Sequence, residues 1–191
     1  MPSPSNKIVI IAAPSGAGKT SVTRHLLRSL PDQLAFSISC ATRSPRNNEK
    51  DNVDYYFISV DEFKQRINRK EFVEWEMVYA GKYYGTLKSE IERLTALGRN
   101  VVFDVDVKGA MSIKHLYPEE TLTVFIKVPS MEILEKRLRL RGTDTEESLT
   151  RRLTKARGEL TFEPQFDVVL INDVLEQTLK EAEDIVQKFL L

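Results

Sequence analysis

Short runs of apolar residues, many of them β-branched, recur along the chain and predict buried strands. The first run covers residues 8–13 and is followed by a cluster of Pro, Gly and Ser. Three further runs cover residues 100–106, 121–128 and 166–171. Runs in which apolar residues do not alternate with polar ones are typical of strands that have both faces buried. We therefore expect a parallel sheet that is covered on both sides.

Helical patterns lie between and after these strands. Residues 19–30, 86–97 and 130–140 are predicted to be helices, and Gly98 is expected to end the second one in a left-handed conformation. The last helix has an apolar face made of Leu175, Leu179, Ala182, Val186 and Phe189. Strands that alternate with helices predict an α/β fold with a mainly parallel sheet and right-handed crossovers.

Residues 37–86 interrupt this alternation. They contain short alternating stretches at residues 55–58 and Phe72–Tyr79, separated by a helix that a Ser59-x-x-Glu62 capping box would begin. No linker or low-complexity tract separates this segment from the rest of the chain. We predict an inserted mixed α/β lobe that packs on the same core.

Length and composition limit the class of protein. A chain of 191 residues with 41% hydrophobic and 29% charged residues is typical of one globular domain. The 28 basic residues are balanced by 28 acidic ones, so we expect neither nucleic acid nor membrane as a partner, and any anion site must be local. The single cysteine, Cys40, excludes an internal disulfide, and residues 8–13 are too few for a signal peptide or membrane span. These features predict a cytoplasmic protein that is a monomer or a simple homo-oligomer.

A phosphate-binding loop, or P-loop, directly follows the first strand and begins a helix. It consists of Ala13, Pro14, Ser15, Gly16, Ala17, Gly18, Lys19 and Thr20. Its glycines let backbone N–H groups surround a triphosphate, Lys19 reaches the outer phosphates, and Thr20 binds Mg²⁺. Ala13 stands where glycine is usual, so no glycine-only backbone angle is required there. The alternative is a glycine-rich turn with an exposed lysine.

Asp104 follows the apolar residues Val101, Val102 and Phe103 near the end of a predicted strand. An acidic residue in this position can stand near the Mg²⁺ ion of a P-loop enzyme. The alternative is a helix cap or an ordinary loop residue. We assign Asp104 to the metal region because the chain also carries the P-loop.

The inserted lobe contains a candidate site for a second phosphate. Arg43 and Arg46 flank a proline turn, and their guanidinium groups are suited to grip one phosphate through charge-assisted hydrogen bonds. The hydroxyls of Tyr55 and Tyr84 could add donors. A solvated basic loop remains the alternative.

Glu74 lies in an apolar stretch, where a buried carboxylate is costly unless it meets paired donors. Guanine offers such a pair, since its N1–H and N2–H₂ groups face the same way, whereas adenine does not. The alternative is that Glu74 lies on the outward side of a half-exposed strand, which the pattern by itself favours.

These segments, in this order, resemble guanylate kinases over nearly the whole chain. The matching segments are APSGAGKT, SISCATRSPR, DYYF, EFVEWEMVYAGKYYGT, DVDVKG, RLRLRGTDTEESLTRRL and IND. The resemblance implies a P-loop NTPase fold and Mg²⁺-dependent transfer of phosphate from ATP to GMP, in purine nucleotide metabolism. It also implies a core at residues 1–36, 87–137 and 158–191, a GMP-binding lobe at 37–86 and a helical lid at 138–157.

The resemblance also implies roles for individual residues. The GMP phosphate would be held by Arg43, Arg46, Tyr55 and Tyr84. The guanine edge would be read by Ser39, Glu74, Thr86 and Asp106, and Asn172 would lie near the adenine of ATP. The lid and hinge arginines that approach the transferred phosphoryl group would be Arg137, Arg141 and Arg152, whose alternative is ordinary helix-surface charge.

Two other functions are consistent with parts of the pattern. A guanylate-kinase-like scaffold module would bind phosphopeptides, but such modules generally lose the phosphate-loop residues that this chain keeps at Gly18, Lys19 and Thr20. A P-loop kinase with another small phosphorylated acceptor would share the same loop. Glu74, Thr86 and Asp106 argue against that second alternative.

Overall fold

The computed structural model describes residues 6–46, 49–79, 81–140, 142 and 145–191. In chain order the strands are β1 (Ile8–Ala12), β2 (Leu34–Phe36), β3 (Cys40–Ala41), β4 (Tyr56–Phe57), β5 (Phe72–Tyr79), β6 (Lys82–Leu87), β7 (Asn100–Asp104), β8 (Thr121–Lys127) and β9 (Val168–Ile171). The helices are α1 (Lys19–Ser29), α2 (Val60–Asn68), α3 (Lys88–Ala96), α4 (Val107–Leu116), α5 (Met131–Leu140), α6 (Glu146–Leu160) and α7 (Leu175–Leu190). None of the helices in the described ranges is both long and apolar enough to cross a membrane.

The main sheet has the strand order β2-β7-β1-β8-β9, and every neighbouring pair in it is parallel. Side chains of β1 alternate between two hydrophobic cores, with Val9 and Ile11 on one face and Ile8 and Ile10 on the other. Both faces of the central strand are therefore buried, which explains its uninterrupted apolar sequence. The predicted α/β fold with a parallel sheet is confirmed.

The inserted segment forms a second sheet with the order β4-β3-β6-β5, in which only the β3–β4 pair is parallel. Phe63 of α2 packs against this sheet, with its ring centroid 4.3 Å from that of Phe72. The helix begins as predicted, because the Ser59 hydroxyl accepts a hydrogen bond from the Glu62 amide at 3.1 Å. The lobe has its own small core, in which Cys40 is buried. Burial raises the pKa of its thiol to about 12.

Two predicted boundaries were wrong. Thr86 was expected to begin a helix but belongs to β6, where it pairs with Glu74, and α3 starts at Lys88. The strand predicted for residues 100–106 ends at Asp104, because Asp106 caps α4 by accepting a hydrogen bond from the Gly109 amide at 2.8 Å. The helix thus begins later, and the strand ends earlier, than periodicity indicated, because Thr86 has a cross-strand partner and Asp106 caps a helix.

Glu90 joins the core to the inserted lobe. It lies on α3 and is 2% exposed. Its carboxylate accepts hydrogen bonds from the Ile38 amide at 3.0 Å and the Tyr56 hydroxyl at 2.9 Å. Arg93, one turn further along the helix, donates to both carboxylate oxygens. A buried charge with this many partners fixes the position at which the chain enters the lobe.

Glu90→Ala is expected to destabilise the protein by about 3 kcal/mol, because it leaves the Ile38 amide and Tyr56 hydroxyl without their acceptor. Urea unfolding of the variant and the wild type measures the difference. Glu92→Ala, which removes an exposed carboxylate from the same helix, is the control. Equal unfolding midpoints for the two variants would contradict a joining role for Glu90.

Candidate active site

The P-loop connects the carboxyl end of β1 to the first residue of α1 and lines a cavity of about 270 Å³. Gly18 has φ 105°, and a Cβ atom there would lie 2.3 Å from the Asn172 amide nitrogen. Only glycine fits this position, for both conformational and steric reasons. Ala13 is not among the described residues with positive φ, in agreement with the expectation that glycine is not required there.

Asn172 supports the P-loop from behind. Its side chain is 3% exposed, and its amide donates a hydrogen bond to the Ala17 carbonyl at 2.8 Å. Thr178 of α7 donates to its side-chain oxygen at 3.4 Å. The resemblance placed this residue near adenine, but the contacts seen in the structure are with the protein, so an adenine contact stays a prediction. The contact with Asn172 is made through a carbonyl and uses none of the loop amides, although the Ala17 amide bonds to the Pro14 carbonyl at 3.0 Å.

Lys19, which lines this cavity, forms an ion pair with Asp104 of β7. Ile11 of β1 pairs with Asp104 of β7, so the aspartate lies beside the start of the P-loop. The Lys19 ammonium is 2.5 Å from the Asp104 carboxylate and donates to the Val105 carbonyl at 3.4 Å. Thr20 is exposed and lines the cavity. The structure thus brings together the lysine, hydroxyl and carboxylate that were predicted to act on phosphate and metal.

The helix α6 lies over the P-loop. Arg152 donates a hydrogen bond to the Ser15 hydroxyl at 3.2 Å, and Lys155 and Glu159 line the same cavity. Arg137 is not among the described residues that line this cavity. Arg137 donates to the Asp173 carbonyl at 3.2 Å, and Arg141 lies outside the described residues. Lys155 was not predicted, although it follows Arg152 at helical spacing on the same helix.

Arg43 is held by partners on several sides. Its two terminal nitrogens donate to Glu49 at 2.5 and 2.7 Å, and its Nε donates to the Tyr84 hydroxyl at 3.0 Å. The guanidinium lies 5.0 Å from the centre of the Tyr55 ring. Sequence reasoning predicted the arginine and both tyrosines as one cluster but missed Glu49, whose only signal is its closeness to the two arginines.

Glu49 also links Arg43 to Arg46. It accepts a hydrogen bond from the Arg46 amide at 2.9 Å, while the Arg46 guanidinium is exposed. Hydrogen bonds from Arg43, and then from the Arg46 amide, lower the pKa of Glu49 to about 2. The carboxylate therefore stays charged at neutral pH and keeps Arg43 oriented.

The predicted guanine-reading residues also come together. Ser39 and Thr86 share a hydrogen bond of 3.0 Å between their hydroxyls, and Thr86 pairs across the sheet with Glu74. A cavity of about 170 Å³ is lined by Ser39, Tyr55, Glu74, Glu76, Tyr84, Asp106 and neighbouring residues. Burial raises the pKa of Glu74 to about 7, although hydrogen bonds with Thr86 oppose this shift. The carboxyl is therefore poised for a ligand that donates hydrogen bonds to it.

Comparisons with known proteins identify relatives of this chain. A family model described as guanylate kinase matches residues 5–189. A guanylate kinase of Bacteroides fragilis is 49% identical over 96% of this chain and 90% of that protein. One of Porphyromonas gingivalis is 46% identical over 96% of this chain and 98% of that protein. The crystal structure of guanylate kinase from Anaplasma phagocytophilum matches with a TM-score of 0.75 at 27% identity, covering 96% of this chain and 85% of that chain.

Glu74→Gln is expected to stabilise the protein at pH 8. The unfolded state loses this proton near pH 4.5 and the folded state near pH 7, so the free energy of unfolding falls as the pH rises between these values. Removing the charge relieves a cost of at most about 3 kcal/mol above pH 7. Melting temperatures at pH 4.5 and 8 measure the effect, with Glu176→Gln on an exposed helix as the control. A difference that does not grow with pH would argue against a buried carboxyl.

Proposed function

This chain belongs to the guanylate kinase family and catalyses the ATP-dependent phosphorylation of GMP to GDP; we propose that the P-loop cavity holds the phosphates of ATP and the lobe cavity holds GMP. One observation carries this assignment. Asp106 and Lys155 line both cavities, so the two sites are neighbours. Direct transfer between two bound nucleotides requires this arrangement. Nothing in the site favours a scaffold function or another acceptor.

The donor site is assigned to the P-loop backbone, Lys19 and Arg152. The amides of the loop and the start of α1 face an anion, and Lys19 supplies a charge for the outer phosphates. Arg152 already contacts the loop at Ser15, so it lies where the transferred group would pass. Arg137, at the hinge beside the lid, and Arg141, in the lid, are assigned to approach the transferred phosphoryl group when the lid closes. Asn172 supports the loop and is assigned to the adenine side.

The donor set at Thr20 and Asp104 fits Mg²⁺. A hydroxyl and a carboxylate are hard oxygen ligands, and Mg²⁺ typically takes few protein ligands while keeping waters and substrate phosphates. Among the described residues, no cluster of three or more His, Cys, Asp or Glu could hold a metal by itself. A magnesium ion brought with ATP would neutralise phosphate charge. Asp104 is paired with Lys19 at 2.5 Å, so the lysine balances this carboxylate.

The acceptor site is assigned to two groups of residues in the lobe. Arg43, Arg46, Tyr55 and Tyr84 bind the phosphate of GMP. Arg43 is fixed by Glu49 and Tyr84, while the exposed Arg46 is available to close on the bound phosphate. The guanine edge is assigned to Ser39, Glu74, Thr86 and Asp106. Glu74 accepts from N1–H and N2–H₂, which satisfies its buried carboxylate.

Catalysis then depends on alignment and charge. A phosphate oxygen of GMP attacks the terminal phosphorus of ATP, and the bond from that phosphorus to the bridging oxygen of ADP breaks. Lys19 and Arg152 offset the charge on the moving group, so no covalent intermediate with the protein is needed.

We assign the core to residues 1–36, 87–137 and 158–191, the GMP lobe to 37–86 and the lid to 138–157, although α6 continues to Leu160. Closure of the lid excludes water from the reaction.

We place the enzyme in the cytoplasm as a monomer or a simple homo-oligomer. The zero net charge supports the absence of nucleic acid or membrane partners, and the buried Cys40 thiol is consistent with a reducing compartment.

Lys19→Ala is expected to lower kcat/KM at least about a thousandfold, because the charge that faces the transferred phosphoryl group is lost. A coupled assay with ATP, GMP and Mg²⁺ measures turnover, and circular dichroism checks that the fold is kept. Lys180→Ala, which removes an exposed lysine from α7, is the control. Turnover close to that of the wild type would reject the assignment of this loop.

Glu74→Gln is expected to lower kcat/KM for GMP about a hundredfold, since the amide turns one acceptor into a donor that faces the donors of guanine. Wild-type protein should also release protons when it binds GMP at pH 7, because the bound base favours the ionised carboxyl, whose pKa in the free protein is about 7. Calorimetry in two buffers of different ionisation enthalpy measures this release. Glu74→Gln should release fewer protons on binding GMP than the wild type, because it lacks the carboxyl that ionises. An unchanged preference of the variant for GMP over AMP would refute the guanine contact.

A further inference from the structure

Glu76 lies between the residues assigned to the base and those assigned to the phosphate. Side chains two residues apart on a strand face the same side, roughly 7 Å from each other. Glu74 and Glu76 therefore share one face of β5, where Glu74 pairs with Thr86 and Glu76 pairs with Tyr84. Both glutamates line the lobe cavity.

The residues at the two ends of this face are assigned to different parts of the nucleotide. At one end, Thr86 bonds to Ser39 beside Glu74, where the purine is assigned. At the other end, the Tyr84 hydroxyl accepts from Arg43, where the phosphate is assigned. The sugar of a nucleoside monophosphate lies between its base and its phosphate. Glu76 therefore faces the position of the ribose.

The environment of Glu76 suits a hydroxyl group. Asp106 uses Oδ1 to cap α4, with a distance of 2.8 Å to the Gly109 amide. Its carboxyl shares a hydrogen bond with that of Glu76, which, with burial, raises the pKa of Glu76 to about 7. Burial of Asp106 opposes ionisation, but this hydrogen bond and the Gly109 amide lower its pKa. The Glu76 carboxyl has two oxygens and about four lone-pair sites, so beside this hydrogen bond it can accept another from a ribose hydroxyl.

Two lysines reduce the cost of placing the Glu76 carboxyl, in addition to those of Glu74 and Asp106, in a site for anions. The positive charges of Lys155 of α6 and Lys108 of α4 favour the ionised form of Glu76. An additional negative charge beside two phosphate sites would otherwise weaken nucleotide binding. Acidic side chains also bind ribose hydroxyls in dinucleotide-binding folds, because a carboxylate accepts hydrogen bonds from the sugar.

We propose that Glu76 is a specificity-determining residue that hydrogen-bonds to the 2′-hydroxyl of the acceptor and favours GMP over its 2′-deoxy analogue. This inference rests on the proposed binding of GMP in the lobe cavity. It adds a sugar contact to the base and phosphate contacts, and Asp106 positions the Glu76 carboxyl for it.

The test compares GMP with dGMP in the wild type, Glu76→Ala and Glu76→Gln. For Glu76→Ala, the ratio of kcat/KM for GMP to that for dGMP is expected to fall about tenfold, through a higher KM for GMP. The KM for ATP should stay unchanged, and any effect transmitted through Asp106 should change GMP and dGMP equally, so the ratio isolates the contact with the sugar. Glu76→Gln should retain part of the preference, since its amide still hydrogen-bonds to a hydroxyl. Glu181→Ala, on an exposed face of α7, is the control.

Binding of both nucleotides, measured by calorimetry without ATP, separates this inference from the proposed function. If the wild type binds both nucleotides equally, or if Glu76→Ala weakens both by the same factor, Glu76 does not read the sugar. If GMP binds with the expected preference but is not phosphorylated, the proposed function fails while the sugar contact stands. A wild type that binds neither nucleotide would overturn both.

Discussion

A loop that binds phosphate through its backbone amides must be held in place without using those amides. In this protein the buried side-chain amide of Asn172 bonds to the Ala17 carbonyl, and this contact uses none of the N–H donors of the loop. The contact works only because Gly18 lacks a side chain and adopts a left-handed conformation. Thr178 of α7 holds Asn172 in turn, so the last helix and last strand of the chain maintain a site formed near its beginning.

The parallel sheet decides which groups stand beside that loop. Because β1 and β7 are parallel neighbours, their carboxyl ends meet at one edge, and Asp104 is placed next to Lys19. The inserted lobe leaves the core after β2 and returns to it at α3. Its entry is tied to the core at Glu90. The lobe cavity therefore lies against the P-loop cavity, and Asp106 lines both.

Charge in the lobe is controlled by matched partners. Arg43 is oriented by Glu49, which stays ionised because it accepts several hydrogen bonds. Glu74 has the opposite situation, since burial without a cation raises the pKa of its carboxyl. The Glu49 carboxylate thus orients Arg43, while the Glu74 carboxyl can accept hydrogen bonds from a ligand. This division suits a nucleotide, which carries an anionic end and a donor edge.

Local patterns in the sequence were sufficient for the P-loop, the buried strands of the main sheet and the capped start of α2. These features depend on residues close together in the chain, such as a glycine-rich turn after an apolar run or a hydroxyl three residues before an amide. The resemblance to guanylate kinases added roles for residues of the lobe, and these roles stay predictions. Tertiary structure alone decided that Thr86 belongs to a strand, that Asn172 bonds to the P-loop, that Glu49 pairs with Arg43 and that Glu76 lines the lobe cavity. Each of these depends on a partner or a cavity supplied by the folded chain, and periodicity carries no information about such partners.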